Sequence, residues 1–273
     1  MGLGNSITCQ YHNSQIALCI GFAMNDLKDK NILITGASSG IGKTCAIECS
    51  KAGATVHLVG RDLKRLENAF TLLCGDGHSY HELDVTDTSK LNIMIDGIVE
   101  KTGKISGFIH SAGYQITTPL QAMVSEQYND IFGVNTISAF EISRIISKKK
   151  NYSVDGLSIV LIASVMSVVA NAGLIAYCAS KAALVGGARA MAIELAPKKI
   201  RVNCISPGYM SDTPMMRDMD FLLSQSEIAE LTKGYPLGLG KTEDIASMCV
   251  YLLSEKAKWI TGQNIIIDGG FLA

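Results

Sequence analysis

Charge is scarce in this chain of 273 residues: 18% of it is charged, and 24 Lys and Arg against 25 Asp and Glu leave a net charge of −1. The basic residues are scattered, so there is no patch to neutralise a phosphate backbone, and nucleic-acid binding is excluded. Metal-ligand spacing is missing too. The eight cysteines form no CxxC or Cys/His pattern, and the five histidines form no HxxxH or HExxH, so no catalytic metal is expected. Cys45 and Cys49 share a helix face and read as small buried thiols. Cysteine usage of this kind fits a reducing cytoplasm. Residues 1–23 contain neither Lys nor Arg, so their apolar patch, Ile16 to Ala23, makes a poor signal peptide. Met1-Gly2 with Ser6 matches a short myristoylation pattern, a weak motif. Met24 reads as the natural start, with 1–23 an extension, flexible or loosely docked. Gly156 to Ser180 carries no charged residue, like a membrane span. Its Ser158, Ser164, Ser167, Asn171 and two glycines instead suit a buried strand, its loop and a helix start, so no membrane partner is expected.

What is present is a strict alternation. Short apolar runs near 31–35, 55–59, 79–83, 107–110, 158–162, 201–206 and 263–267 read as strands. Helical patterns fill 41–52, 63–73, 87–101, 125–148, 176–195 and 243–254. That order predicts an α/β fold with a parallel sheet in one domain, 24–273. The first strand runs into Gly36-Ala37-Ser38-Ser39-Gly40-Ile41-Gly42, and a helix follows. Glycines let the backbone approach a pyrophosphate, and the helix start offers free N–H groups and a favourable dipole. The spacing is GxxxGxG rather than GxGxxG. At the end of the second strand, where an NAD site places a carboxylate for the ribose 2′-hydroxyl, stand Gly60 and Arg61. A guanidinium there can grip a 2′-phosphate, which favours NADP(H) over NAD(H). Asp62 is the competing carboxylate, but it is placed to cap the next helix.

Further along come Ser164, Tyr177 and Lys181. Tyr177 and Lys181 lie one helical turn apart and share a face. An ammonium beside a phenol favours phenolate, so Tyr177 is expected to have a lowered pKa and to move a proton near neutral pH. Ser164, at the end of a strand facing that helix, can hold a carbonyl or alcohol oxygen. Together they suit proton transfer at a C–O centre. Tyr209 to Tyr235 interrupts the alternation with Met and Leu among charges. It reads as a substrate lid, a packed surface hairpin being the alternative.

These residues resemble the short-chain dehydrogenase/reductases over about Asp29 to the C-terminus. The glycine motif is joined by Asp84, Ala112-Gly113, Asn135, the Ser164, Tyr177 and Lys181 set, Pro207-Gly208 and Asp268-Gly269-Gly270. The resemblance implies a doubly wound Rossmann fold with seven parallel strands. It implies Tyr177 as acid/base, Ser164 as substrate orienter, and Lys181 on the nicotinamide ribose. It places Asn135 on a relay water, Asp84 and Val85 beside adenine, and Ile205 to Gly208 near the nicotinamide. Two departures stand out. The family's Asn-Asn-Ala-Gly is His110-Ser111-Ala112-Gly113 here. The Thr expected five residues after Pro207 is Asp212, with Thr213 one later; either the loop bulges by one residue or the nicotinamide amide is held differently. The ending Ile260 to Gln263 and Asp268 to Gly270 is most similar to 3-oxoacyl-[acyl-carrier-protein] reductases. That implies a thioester substrate, with Lys148-Lys149-Lys150 and Lys198-Lys199 as candidates for docking an acidic acyl carrier protein. Sugar, polyol, steroid and small-ketone substrates stay open, as does a non-catalytic dinucleotide sensor. Family members commonly form homotetramers, through the 125–148 and 176–195 helices and the last strand.

Overall fold

The computed structural model describes residues 26–214 and 225–273. The extension 1–23 and the lid residues Met215, Met216, Met219, Phe221, Leu222 and Leu223 lie outside the described residues. Seven strands are present: β1 Asn31–Thr35, β2 Thr55–Gly60, β3 Ser79–Glu82, β4 Gly107–His110, β5 Leu157–Ile162, β6 Ile200–Pro207 and β7 Asn264–Ile267. They form one sheet in the order β3-β2-β1-β4-β5-β6-β7, parallel throughout. The order reverses between β1 and β4, which opens a crevice at the carboxyl ends of those strands. In register, Thr35 pairs with both Val59 and His110, so the carboxyl ends of three strands meet there.

The central strands are buried along nearly their whole length because helices cover both faces. Alternate residues divide two cores between those faces. Leu33, Phe108, Ile159, Leu161 and Val202 pack under α3 (Thr88–Thr102), α5 (Ser138–Ile146) and α6 (Ile175–Leu195). Ile32, Ile34, Leu58, Ile109 and Val160 pack under α1 (Gly40–Lys51) and α8 (Thr242–Leu253). Cys45 and Cys49 are fully buried in the second core, as small thiols on a sheet-facing helix should be. The remaining helices are α2 (Leu63–Phe70), α4 (Ser125–Phe132) and α7 (Gln225–Lys233). Among the described residues no helix is long and apolar enough to cross a membrane, and no group of His, Cys, Asp or Glu is arranged to hold a metal.

One element differs from its sequence pattern. The helix expected over 125–148 is broken by a π turn at Gly133–Ile137. The wider turn tucks Asn135 and Thr136 inward, and Thr136 Oγ1 donates to the Ser180 carbonyl at 2.9 Å. Such turns interrupt helices where a side chain must be re-aimed.

Candidate active site

The phosphate cradle is bare backbone. Gly36 has φ +66°, and a Cβ there would lie 2.7 Å from the Ala112 nitrogen. A Cβ on Gly42 would run into the Gly36 carbonyl. Ser39, at the start of α1, makes no side-chain capping bond, and the first turn holds no acidic residue. The helix therefore presents unspent N–H groups and its positive end, which is what a pyrophosphate needs. Ser38 lies against Gly60, 3.4 Å from where a Cβ would stand. Gly36, Ser38, Ser39, Gly40, Ile41 and Gly42 thus lie together in the turn between β1 and the first turn of α1.

Beside it, Arg61, Glu82, Leu83, Asp84, Asp87 and Lys90 line a cavity of about 350 Å³. Arg61 Nη1 lies 3.7 Å from Asp84 Oδ2. Asp84 accepts from Thr86 N at 2.9 Å and from Thr86 Oγ1 at 2.7 Å. Partial burial raises the Asp84 pKa, but the Thr86 bonds and Arg61 outweigh it and hold the carboxyl below its usual range. Val85 is buried next to it. Lys90 and Asp87, paired at 2.8 Å, are cavity residues that sequence reasoning missed; their i,i+3 spacing looked like an ordinary helix-surface pair.

At the opposite end of the crevice, Ser164 ends the segment leaving β5, and Tyr177 and Lys181 project from the first turns of α6. All three are buried. The Tyr177 hydroxyl is within hydrogen-bonding reach of the Ser164 side chain. Burial raises the Tyr177 pKa, against the downward pull of Ser164. The expected depression by Lys181 is not what this arrangement gives. Lys181 Nζ lies 5.8 Å from the centre of the Tyr177 ring and donates to the Ile162 carbonyl at 2.8 Å. Burial lowers its own pKa to about 8. Gly113 faces this ammonium, 3.3 Å from where a Cβ would sit. Asn135 holds the same loop: its Oδ1 accepts from Tyr114 N, and its Nδ2 donates to Tyr114 O and Ser180 Oγ, each at 3.0 Å. Its amide hydrogens are therefore both spent on protein groups rather than on a relay water.

His110 takes the place of the family's first Asn. It is fully buried, and its Nδ1 pairs with Thr35 Oγ1 at 2.9 Å, bracing β4 against β1. Its Nε2 has no partner. Burial and the nearby Lys181 charge push the ring down to about 3, so it is neutral. Pro207-Gly208 closes β6, with Gly208 N donating to the Ile267 carbonyl at 2.8 Å. The aromatic stack beyond it, Tyr209, Tyr235 and Phe271, was not foreseen. Asp212 points away from the crevice to the start of α8. Thr213 sits over the glycine loop, its Cγ2 3.6 Å from where a Gly40 Cβ would lie. Asp212 and Thr213 therefore face opposite ways, one to the start of α8 and the other to the glycine loop.

Comparison with known proteins agrees with this geometry. A family model described as "Enoyl-(Acyl carrier protein) reductase" matches residues 36–272. The chain is 33% identical to the 3-oxoacyl-[acyl-carrier-protein] reductase of Thermotoga maritima, over 90% of this chain and 99% of that protein. It is 31% identical to the enzyme of the same name from Salmonella typhimurium, over 88% and 96%. A crystal structure of a putative short-chain alcohol dehydrogenase from Sinorhizobium meliloti superposes with a TM-score of 0.83 at 29% identity, covering 92% of this chain and 98% of the other. A short-chain type dehydrogenase/reductase from Mycobacterium ulcerans gives 0.82 at 28%, covering 90% of each. With the glycine cradle, the Ser164, Tyr177 and Lys181 cluster and near full-length similarity in both sequence and structure, the chain belongs to the short-chain dehydrogenase/reductase family, nicotinamide-dependent oxidoreductases acting on CH–OH groups.

Proposed function

We propose that this protein reduces the ketone of a 3-oxoacyl thioester, with NADPH as the preferred cofactor. The observation that carries the reading is the wall around Tyr177. Ile116, Met123, Met166 and Leu174 gather in one apolar cluster with it. The two loops that supply them touch, with Thr118 N donating to the Gly173 carbonyl at 2.9 Å. Neither 111–125 nor 156–180 contains a charged residue. An apolar acyl tail suits such walls better than a sugar or polyol, whose hydroxyls would each lose water without repayment.

The bound nicotinamide supplies the hydride. Ser164 and Tyr177 donate to the carbonyl oxygen and stabilise the developing alkoxide, the largest contribution such a site makes. Tyr177 then gives up its proton. Its raised pKa keeps the hydroxyl protonated at neutral pH, which suits the reductive direction. Arg61 at the end of β2, with Lys90 nearby, supports a 2′-phosphate. The acyl carrier protein is the proposed carrier. Lys148-Lys149-Lys150 and Lys198-Lys199 precede β5 and β6, so within one chain they stand at the amino edge of the sheet, away from Tyr177.

The test is NADPH consumption with acetoacetyl and 3-oxooctanoyl thioesters, a crotonyl thioester, and a panel of sugars and polyols. The 3-oxoacyl substrates should be consumed fastest. Tyr177→Phe should cut turnover by about 10²- to 10⁴-fold while NADPH affinity changes less than about twofold. Faster crotonyl consumption would move the reading to the C=C reduction named by the family model; turnover of sugars alone would sink it.

A further inference from the structure

The root of the lid is tied to the phosphate loop by a directed chain of hydrogen bonds. Thr44 Oγ1, on α1, donates to Thr242 Oγ1 at 2.8 Å. Thr242 Oγ1 donates to Asp212 Oδ2 at 2.7 Å, and Thr242 N donates to Asp212 Oδ1 at 3.0 Å. The same Thr44 hydroxyl lies 3.3 Å from the Gly40 carbonyl, at the crown of the cradle. Thr242, the middle member, is buried, and the bonds on either side of it are partly buried, which strengthens them relative to exposed ones. Around it the lid root is stitched to the segment before α8. Met210 and Gly240 form a parallel bridge, Gly240 N donates to the Tyr209 carbonyl at 3.0 Å, and Ser211 N donates to the Gly240 carbonyl at 3.0 Å. Thr213 and Pro214 then lie directly over Gly40, within 3.6 Å and 3.5 Å of where its Cβ would be.

These contacts give the turn at Asp212 a purpose. A carboxylate one position ahead of Thr213 turns toward α8, and that turn sets Thr213 and Pro214 down on the glycine loop. We propose that Asp212 is a positioning residue for the dinucleotide, acting through Thr242 and Thr44 to hold the cradle and the lid root in one arrangement. Dinucleotide affinity then depends on a hydrogen-bond chain that begins outside the glycine loop. The inference rests on the reading of the glycine loop as a dinucleotide site.

The experiment measures NADPH dissociation constants by fluorescence, with thermal unfolding of the same samples. The variants are Asp212→Ala, Thr44→Val, their double, and the hydroxyl-keeping Thr44→Ser and Thr242→Ser. Asp212→Ala and Thr44→Val should each weaken NADPH by about tenfold, a typical coupling between linked sites. The double variant should be no worse than either single, because both cut the same chain. The serine variants should stay within about twofold of the parent. Thr44→Val removes only a hydroxyl on α1, so the idea remains testable if Asp212→Ala fails to fold. A fall in unfolding temperature with unchanged NADPH affinity would mean that Asp212 is only a helix cap and overturn the proposal. Additive losses in the double variant would overturn it as well. If the parent binds no nicotinamide dinucleotide at all, the reading of the loop itself fails, and the inference with it.

Discussion

His57 and His110 are the two fully buried histidines described, and both are disfavoured as cations for the same reason. His57 sits in a hydroxyl-lined slot: Nδ1 pairs with Ser79 Oγ at 2.8 Å, Nε2 with Thr102 Oγ1 at 3.2 Å, and Ser79 Oγ also meets His81 Nε2 at 2.8 Å. Burial, then the charges of His81 and His78, lower its pKa from 6.5 to about 4. The sign of the consequence follows. Above pH 6.5 neither the folded nor the unfolded chain protonates this ring. Below it, the unfolded chain takes up a proton that the folded one refuses, so stability is lost as pH falls from 6.5 toward 4. A shift of this size corresponds to on the order of 3 kcal/mol for His57 alone. Urea unfolding between pH 7 and pH 4.5 should show a steep loss, made shallower by His57→Gln. Equal slopes in the two proteins would show that His57 is not the titrating group. Part of this was legible in the sequence. His110 could be marked as a departure needing two partners; that only one partner exists, Thr35, depends on side-chain packing that no motif encodes.

At the scale of elements, α6 shows how adjacent glycines can have opposite meanings. A Cβ on Gly186 would meet nothing within 4 Å, whereas one on Gly187 would press into the Phe140 ring, 2.6 Å from Cε1. Gly187 thus leaves the space that the Phe140 ring of α5 occupies against α6. Gly186→Ala should stabilise the fold by about 1 kcal/mol through helix propensity alone. Gly187→Ala should lose about 1–3 kcal/mol, because an overpacked interface must shift a ring or a helix. Equilibrium unfolding of both variants decides this, and equal effects would mean that the α5–α6 packing is not as described. Nothing in the sequence separates these two glycines, because what each one faces depends on tertiary packing. The strands were legible almost to the residue, since a parallel strand buried on both faces is written as a short apolar run. The π turn at Gly133–Ile137 was not, because the apolar pattern of α4 and α5 continues through it and only the inward demand of Asn135 and Thr136 breaks the helix.

The whole molecule is organised about one crevice, and the ends of β1, β4 and β5 bring to it residues far apart in the chain. Gly36, Gly113 and Ser164 each follow one of those strands, so strand order alone converges the glycine loop, the ammonium-facing loop and the Ser164 hydroxyl. That convergence was readable from motif order. The turn at Asp212 and the cavity containing Lys90 were not, because both depend on where loops lie over the crevice. The same architecture makes cofactor choice measurable without knowing the substrate. A ligand that binds only the folded chain stabilises it by about 2.7 kcal/mol at a hundred times its dissociation constant. For a chain of this size that raises the unfolding midpoint by roughly 5–10 °C. If Arg61 faces a 2′-phosphate, NADPH should raise the midpoint well beyond NADH at equal concentration, and Arg61→Ala should bring the two together by lowering the NADPH value alone. A guanidinium engaged only with Asp84, at 3.7 Å, predicts something else: Arg61→Ala would move both midpoints equally, since removing a surface ion pair affects this cavity whichever cofactor is added.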